Sequence, residues 1–154
     1  MFMFRKLSLH DITSIYEDME LRALLTVKPV GKKFGVVMDI DGCLKGGITG
    51  YIDGDGAMIQ ELRIKGKDDN DLYRDGLIRS SMHALELDGV KMLFTKSTED
   101  KDIYTNIGFK RFDRHALNLN LILGDSIKAD IVQDRVLYID LKKFFNKKSC
   151  SPSC

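Results

Sequence analysis

The segment 65–76 carries charged residues that could bind an anion. It contains three cations and four aspartates, namely Lys65, Lys67 and Arg74 beside Asp68, Asp69, Asp71 and Asp75. Helical periodicity begins at Asp71, and backbone N–H groups at a helix N-terminus are well suited to binding phosphate. Aspartates there are normally caps that stabilise the helix dipole. Because the local charge is −1, either the cations reach an anion from the sides, or an anion binds weakly or not at all.

The histidines and cysteines show no spacing typical of a metal site. The histidines lie far apart, at His10, His83 and His115, and are interpreted as surface residues. Cys150 and Cys154 lie close to the C-terminus, and two thiols alone do not complete a zinc site, although a redox pair is an alternative. With Cys43 they make an odd number, unlike the disulfide framework of a small secreted domain. The sequence therefore predicts no metal centre and reduced thiols.

Length and composition predict one globular domain. The chain has 154 residues, 44% apolar and 31% charged, which is enough for one hydrophobic core and too little for two. The formal net charge of +1 gives no overall attraction to nucleic acid or to a membrane surface. No apolar run approaches the roughly 18 residues of a membrane-spanning helix, and the apolar N-terminus is too short for a signal peptide. We therefore expect a cytoplasmic protein.

Apolar segments separated by glycine-containing turns predict an antiparallel meander. Asp41-Gly42 is a strong signal for a two-residue hairpin loop, and a second turn follows at 53–56. In the strand after this turn, alternation places one set of side chains on a common face: Met58, Gln60, Leu62 and Ile64. The strands of this half are expected at 3–9, 34–38, 43–52 and 57–64.

Helical periodicity is strongest at 71–87. Its apolar stripe consists of Leu77, Ile78, Met82 and Leu85. A strand at 90–95 follows, and the helical connection predicts that it runs parallel to the strand at 57–64. A first helix is expected after Asp11 as its cap, with one face formed by Ile12, Ile15, Tyr16 and Met19. The remaining elements are a helix at 98–106 and strands at 109–112 and 136–141.

The C-terminal segment is basic and is expected to carry little regular structure. Four lysines lie in it, at Lys142, Lys143, Lys147 and Lys148. Phe144 and Phe145 are expected to pack the chain end against the sheet. We therefore divide the chain into a domain at 1–141 and a C-terminal tail at 142–154.

The order of the elements at 57–112 resembles the second half of the Gcn5-related N-acetyltransferase (GNAT) fold, and the resemblance covers about residues 5–141. In that family a Tyr four residues before a Gly-Phe pair faces the thioester of coenzyme A, and Tyr104 stands four residues before Gly108-Phe109. Glu61-Leu62-Arg63-Ile64 matches the acidic and branched apolar residues near the end of the family's fourth strand. The resemblance implies a single α/β (α+β) domain, with a mixed, mostly antiparallel twisted sheet of six or seven strands and three or four flanking helices.

The resemblance implies acetyl transfer from acetyl-coenzyme A to an amine, by direct attack on the thioester. In the family, the pantetheine arm of the cofactor binds backbone exposed where the fourth and fifth strands splay apart, which assigns Leu62, Arg63 and Ile64 to the cofactor. The acceptor must lose a proton and the leaving thiolate must gain one. Glu61 is assigned as the base, alone or through water, and Tyr104 as the acid, since a phenol of pKa about 10 suits a thiolate of about 8.5. The alternatives are a solvated Glu61 and a Tyr104 that only packs.

The phosphate-binding loop departs from the family pattern. The family has a basic residue, two spacers, glycine, one spacer, and glycine or alanine, and the corresponding positions here are Asp71, Arg74 and Gly76. Only the last glycine is retained. The resemblance therefore assigns Lys65, Lys67, Arg74 and Gly76 to the cofactor through a degenerate loop. If the loop does not bind coenzyme A, the alternative is a non-catalytic GNAT-like binding or regulatory module.

A third function follows from a second resemblance. The run from Asp39 to Leu44 is similar to the first motif of haloacid-dehalogenase-type phosphatases, in which an Asp attacks phosphorus beside Mg²⁺. That fold needs a parallel sheet starting at this strand, whereas 44–64 has the pattern of hairpin strands. The phosphatase therefore ranks third. For the transferase, the acceptor is an unknown small-molecule or peptide amine, and a homodimer is allowed.

Overall fold

Seven strands and five α-helices form the part of the chain that the computed structural model describes, residues 1–66, 71–96, 99–113, 121–131 and 136–149. The strands are β1 (Phe2–Lys6), β2 (Lys32–Ile40), β3 (Cys43–Asp53), β4 (Gly56–Ile64), β5 (Met92–Thr95), β6 (Lys110–Arg111) and β7 (Leu137–Asp140). The helices are α1 (Leu9–Glu17), α2 (Asp71–Leu87), α3 (Lys101–Ile107), α4 (Asp125–Ile131) and α5 (Leu141–Ser149). A 3₁₀ helix, Arg22–Leu25, lies between α1 and β2.

The strands form a single mixed sheet in the order β1-β2-β3-β4-β5-β7-β6. β4 and β5 are parallel, and every other neighbouring pair is antiparallel. Helix α2 makes the crossover that a parallel pair requires. The predicted α/β domain with a mostly antiparallel sheet is therefore confirmed, although the described helices outnumber the three or four expected.

The β2–β3 hairpin turns at Asp41 and Gly42, between the paired residues Ile40 and Cys43. Both loop residues have positive φ angles, 52° and 84°, as a type I′ turn requires. Aspartate and glycine tolerate this conformation better than most residues. The hairpin predicted from this dipeptide is confirmed.

A β-bulge interrupts β4 at Gln60. On the neighbouring strand, Thr49 pairs with Glu61 and Gly50 pairs with Ile59. Gln60 is therefore one residue more than β3 can pair. Such a bulge bends the strand that carries it and increases its local twist.

The bulge also reverses the alternation of side chains along β4. Ile59 and Leu62 both contact the core that contains α2, which alternation without an extra residue would not allow. Met58 belongs instead to the core on the other side of the sheet. The prediction of a common face for Met58, Gln60, Leu62 and Ile64 is therefore wrong. The sequence shows no mark of the extra residue, because the bulge is a property of the pairing with β3.

Helix α2 packs on one face of the sheet and has the predicted bounds. Its apolar stripe is buried as predicted, at Leu77, Ile78, Met82 and Leu85. Gly76 allows the helix to approach β1, because a Cβ atom at this position would lie 2.3 Å from Cζ of Phe4. None of the helices in the described ranges is long and apolar enough to span a membrane.

Helix α1 differs from the prediction in its cap and in its exposed face. Ser8 is the N-cap, and Asp11 lies at the third helical position, where its carboxylate accepts a hydrogen bond from the Ser8 N–H. Asp11 is buried and receives two hydrogen bonds from the Arg5 guanidinium, at 2.7 and 2.9 Å. Ile15 is buried, but Tyr16 and Met19 of the predicted apolar face are 62% and 86% exposed.

Two C-terminal elements were not expected from the sequence. Helix α4 packs Ile127 and Ile131 against the core that contains Met58. Helix α5 occupies 141–149, so the expectation of little regular structure beyond Lys142 is wrong for the part of this segment that is described. Phe144 and Phe145 pack against the core on the α2 side, as predicted.

Candidate functional site

The sheet opens between β4 and β5. Their last pair is Ile59 with Thr95, where β5 ends, while β4 continues to Ile64. Beyond Ile59, the side of β4 that faces away from β3 therefore has no partner strand among the described residues. Gln60, the bulged residue, lies where the two strands separate. Backbone N–H and C=O groups in such a gap need hydrogen-bond partners.

A cavity of about 360 Å³ fills this gap. It is lined by Met58, Ile59, Gln60, Glu61, Leu62 and Arg63 of β4, by Thr95, Lys96, Glu99, Asp100 and Tyr104 between β5 and α3, and by Asp130 of α4. Tyr104 belongs to the core on the α2 side, whereas α4 packs on the opposite side of the sheet. The cavity is therefore bordered by residues from both faces of the sheet.

Tyr104 has a buried hydroxyl at this cavity. Its side chain is 0% exposed, and its oxygen makes no hydrogen bond of standard geometry with a described residue. Burial raises the pKa of Tyr104 above its usual value, and the Thr95 side chain has a smaller, opposing effect. The hydroxyl therefore stays protonated at neutral pH. A buried hydroxyl in this state is a donor and acceptor suited to a bound ligand.

Glu61 lines the same cavity from the opposite face. It follows the bulge and alternates with Leu62, which faces the α2 side. Its Oε2 atom accepts hydrogen bonds from Arg63, at 3.1 Å from Nε and 2.9 Å from Nη2. The carboxylate is half-buried. The two residues predicted to be catalytic are thus brought to one cavity, and their roles stay predictions.

Of the three residues predicted to contact the pantetheine arm, two line the cavity and one does not. Leu62 and Arg63 line the cavity. Ile64 packs its side chain against the α2-side core, and its backbone pairs with Gly46 of β3. The prediction for this segment concerned the backbone of β4, which is open beyond Ile59 on the β5 side.

The predicted phosphate ligands are not gathered into one anion site in the described residues. Lys65 Nζ pairs with Asp18 Oδ2 at 2.7 Å, which raises the pKa of Lys65. Arg74 Nε pairs with Asp100 Oδ1 at 3.0 Å. Lys67 lies outside the described residues, and the missing side chain of Gly76 is accounted for by its approach to β1.

A buried polar cluster at the cavity was not found from the sequence. Asp130 is 3% exposed, and its Oδ1 atom accepts hydrogen bonds from Lys28 Nζ at 2.9 Å and from Lys96 Nζ at 2.8 Å. Its Oδ2 atom accepts a hydrogen bond of 2.5 Å from the Tyr51 hydroxyl. Burial by itself would raise the pKa of Asp130, but the bonds from Lys96, Tyr51 and Lys28 together lower it to about 2. Asp130 is therefore a carboxylate at neutral pH.

The phosphatase alternative does not agree with the structure. The strand after Asp39 is antiparallel and returns directly in the β2–β3 hairpin, whereas that alternative requires a parallel sheet. The Asp39 carboxylate accepts hydrogen bonds from Arg5 and from the Gly42 N–H. In the described ranges, no group of three or more His, Cys, Asp or Glu residues could hold a metal ion.

Comparison with solved structures decides the fold. The chain is similar to N-acetylglutamate synthase from Neisseria gonorrhoeae complexed with coenzyme A and N-acetyl-glutamate, with a TM-score of 0.63 and 15% identity over 92% of this chain and 35% of that one. It is also similar to the ribosomal-protein-S18-alanine N-acetyltransferase from Escherichia coli, with a TM-score of 0.64 and 11% identity over 92% and 94% of the two chains. This chain has the GNAT fold.

A third match extends over nearly the whole length of both GNAT-fold chains. An acetyltransferase of the GNAT family from Staphylococcus aureus gives a TM-score of 0.60 and 11% identity over 92% of this chain and 99% of that one. By contrast, this chain spans about a third of the length of the N-acetylglutamate synthase. No protein-family model matches the sequence, and no curated protein matches it either. The similarity is therefore one of structure and not of sequence.

Proposed function

We propose that this protein is an acetyl-coenzyme A-dependent N-acetyltransferase that acts on an amine. The observation that supports this most strongly is the cavity between β4 and β5, where an open strand edge, a carboxylate and a buried tyrosine hydroxyl meet. Structures with this fold include complexes with coenzyme A and with acetyl-coenzyme A. The cytoplasmic location and the homodimer stay predictions.

The described residues fit the thioester end of the cofactor better than its phosphate end. The open backbone at Leu62 and Arg63 would hold the amide-bearing pantetheine arm, because such a gap needs hydrogen-bond partners. The Tyr104 hydroxyl, buried and without a standard hydrogen bond to a described residue, would meet the sulfur. For the phosphates, Arg74 stands where the family pattern has a glycine, and its guanidinium is already paired with Asp100.

Glu61 and Tyr104 would perform the two proton transfers of the reaction. Bound acetyl-coenzyme A supplies the acyl carbon and the leaving thiolate, so that an ammonium acceptor and a thioester become an amide, a thiol and one released proton. Glu61 would accept the proton of the acceptor, directly or through water. Tyr104 would donate its hydroxyl hydrogen to the sulfur and regain a proton from the nitrogen as the amide forms. Because burial raises the pKa of Tyr104, the hydroxyl carries its proton before the reaction and is a weaker acid than an unperturbed phenol.

A second candidate is a GNAT-fold module that binds a ligand without catalysis. The observation in its favour is that the two described cations assigned to the phosphates already form ion pairs. Lys65 and Arg74 are both paired with aspartates, Asp18 and Asp100. A pyrophosphate would have to displace these carboxylates or bind elsewhere.

Isothermal titration with acetyl-coenzyme A separates the two candidates when it is combined with a thiol-release assay. We expect a Kd below roughly 100 µM, which corresponds to about −5.5 kcal/mol, and release of thiol that depends on added amine. Acetyl-pantetheine serves as a control for the phosphates, because it retains the arm and thioester alone. Binding without turnover of any amine would favour the non-catalytic module. Absence of binding at millimolar acetyl-coenzyme A would refute the enzyme.

A further inference from the structure

A second cavity lies on the α2 side of the sheet, away from the cavity between β4 and β5. It runs between β1 and the second half of α2, from Arg79 to Leu87, and Val36 of β2 also lines it. Its volume is about 460 Å³, which is within the usual range for small-molecule sites. The two cavities have no lining residue in common. This second cavity, the α2 groove, is therefore separate from the proposed acetyltransferase site.

The wall of the α2 groove is largely apolar. Phe4 and Val36 line it from the sheet, and Ala84 and Leu87 line it from the helix. Leu87 is 70% exposed, so its side chain has apolar surface that a ligand could cover. Arg79 and Leu87 are separated by about 12 Å along the helix axis, at the usual rise of an α-helix. The groove can therefore hold an extended apolar chain that lies along α2.

Hydrogen-bond donors are grouped at the Arg79 end of the groove. Ser80 and His83 also line it, and residues three or four positions apart are neighbours on a helix surface. Arg79 donates from Nε to Asp75 at 2.8 Å, which leaves the N–H groups of both Nη atoms for another acceptor. The Ser80 and His83 side chains have no hydrogen-bond partner among the described residues. One turn of α2 thus presents three side chains that can donate to a ligand.

The charges around the groove suit a ligand with a single negative charge. None of its lining residues is acidic, but Asp75 pairs with Arg79, and Asp88 lies 3.9 Å from Lys6 at the other end. These ion pairs are partly exposed, so they contribute little to stability and a ligand can compete for the cations. Arg5 also lines the groove, but its guanidinium already binds two carboxylates. A carboxylate matches the planar guanidinium and is repelled less by these aspartates than a doubly charged phosphate would be.

We propose that the α2 groove binds an aliphatic carboxylic acid, such as a medium-chain fatty acid. The carboxylate accepts hydrogen bonds from Arg79, Ser80 and His83. The alkyl chain lies along α2 against Phe4 and Leu87, where it removes apolar surface from water. The inference goes beyond the proposed acetyltransferase function and does not depend on it, because the two cavities share no lining residue.

Isothermal titration of the full chain with octanoate tests this site. We expect a Kd below roughly 1 mM. Octanamide keeps the chain without the charge, and acetate keeps the charge without the chain. Each should bind about tenfold more weakly or worse. Arg79→Gln should raise the Kd for octanoate about tenfold, because it removes charged hydrogen bonds. Leu87→Ser should raise it about threefold by removing part of the apolar wall.

Two controls match these variants outside the groove. Arg111→Gln changes an exposed arginine of β6, and Leu9→Ser changes a leucine of α1 that is 84% exposed. Neither residue lines the groove, so both variants should leave the Kd unchanged. Amide chemical shifts in NMR spectra locate the ligand, and we expect the largest changes in β1 and in the second half of α2. Melting temperatures show whether each variant is folded.

Several outcomes would overturn the inference. These are absence of octanoate binding at millimolar concentration, equal binding of octanamide, or the same loss of affinity in the groove variants and their controls. Shift changes confined to the cavity between β4 and β5 would also overturn it, because octanoate would then occupy the proposed acetyltransferase site. The titrations contain no acetyl-coenzyme A. Failure of the groove therefore leaves the proposed enzyme untouched, and failure of the enzyme leaves the groove untouched.

Discussion

Arg74 Nε lies 3.0 Å from Asp100 Oδ1, so an ion pair joins the first turn of α2 to the residue that precedes α3. Asp100 lines the cavity, and Tyr104 lies one helical turn further along α3. In the proposed enzyme, Arg74 is assigned to a phosphate of the cofactor. Asp100 is therefore already paired with the guanidinium that the phosphate would bind.

Asp100→Asn should tighten the binding of coenzyme A. Removing a negative charge close to a phosphate is worth about 1 kcal/mol near a protein surface, or about fivefold in Kd. Asparagine also remains a good residue for the N-cap position of α3. Isothermal titration at low and high salt measures the effect, which salt should reduce. Asp102→Asn, at an exposed aspartate of α3, is the control. The same gain from both variants would show a general charge effect and would remove Arg74 from the phosphate site.

Tyr104→Phe should lower activity without lowering stability. Loss of a general acid reduces kcat about 10²- to 10⁴-fold, with little change in coenzyme A affinity. The free energy of unfolding should stay the same or rise by up to about 1 kcal/mol, because the variant removes a buried hydroxyl without a standard hydrogen bond to a described residue. Acetylation rates across pH 6 to about 9 and urea unfolding provide the two measurements. Unaltered rates at every pH would exclude Tyr104 from the mechanism.

Tyr51→Phe is the matched comparison at a second buried tyrosine. Its hydroxyl donates a hydrogen bond of 2.5 Å to the ionised Asp130. Hydrogen bonds to charged groups contribute about 1.5 to 3 kcal/mol, so this variant should be destabilised by about that amount. Equal stability changes in the two phenylalanine variants would contradict the different hydrogen-bonding states of the two tyrosines.

Gly76→Ala should destabilise the protein although alanine favours helices. The added Cβ would lie 2.3 Å from the ring of Phe4. Overpacking of this kind costs about 1 to 3 kcal/mol, and the higher helix propensity of alanine offsets up to about 1 kcal/mol. Phe4→Leu removes the ring, so the double variant should be less destabilised than the two single changes together. Coenzyme A titration of the double variant then tests Gly76 itself: unchanged affinity would show that this glycine is needed for packing and not for phosphate.

Acid should weaken the protein through Asp11. The Arg5 guanidinium holds the pKa of Asp11 at about 2, below the value of 3.8 that an unperturbed aspartate has. Because the folded-state pKa is depressed, the stabilisation is fully present above about pH 4 and is lost as the pH falls through about 2. The shift corresponds to roughly 2 kcal/mol. The stability difference between wild type and Asp11→Asn should therefore shrink by that amount between about pH 5 and 2 in urea unfolding.

The control for this pH effect is Glu17→Gln, at an exposed carboxylate on the same helix. Its difference from wild type should change much less over the same range. A difference between wild type and Asp11→Asn that is constant with pH would mean that the Arg5–Asp11 pair does not contribute to folding stability.

Local sequence determined the parts of this fold whose causes are local. The Asp41-Gly42 hairpin follows from residues that accept positive φ angles. The bounds and apolar stripe of α2 follow from a period of 3.6 residues, and the parallel β4–β5 pair follows from the crossover helix. These features bring Glu61 and Tyr104 to one cavity, and the catalytic roles assigned to the two residues stay predictions.

Tertiary structure alone decided the bulge at Gln60 and the buried polar cluster around Asp130. The bulge at Gln60 exists only in the pairing with β3, so the sequence of β4 has no sign of it. Asp130 receives its hydrogen bonds from residues 102, 34 and 79 positions away, at Lys28, Lys96 and Tyr51. Periodicity and turn signals report interactions between near neighbours in the chain, whereas contacts at these separations are set by how the strands and helices pack. For the same physical reason, the shape and charge of the cavity between β4 and β5 emerge only in the folded protein.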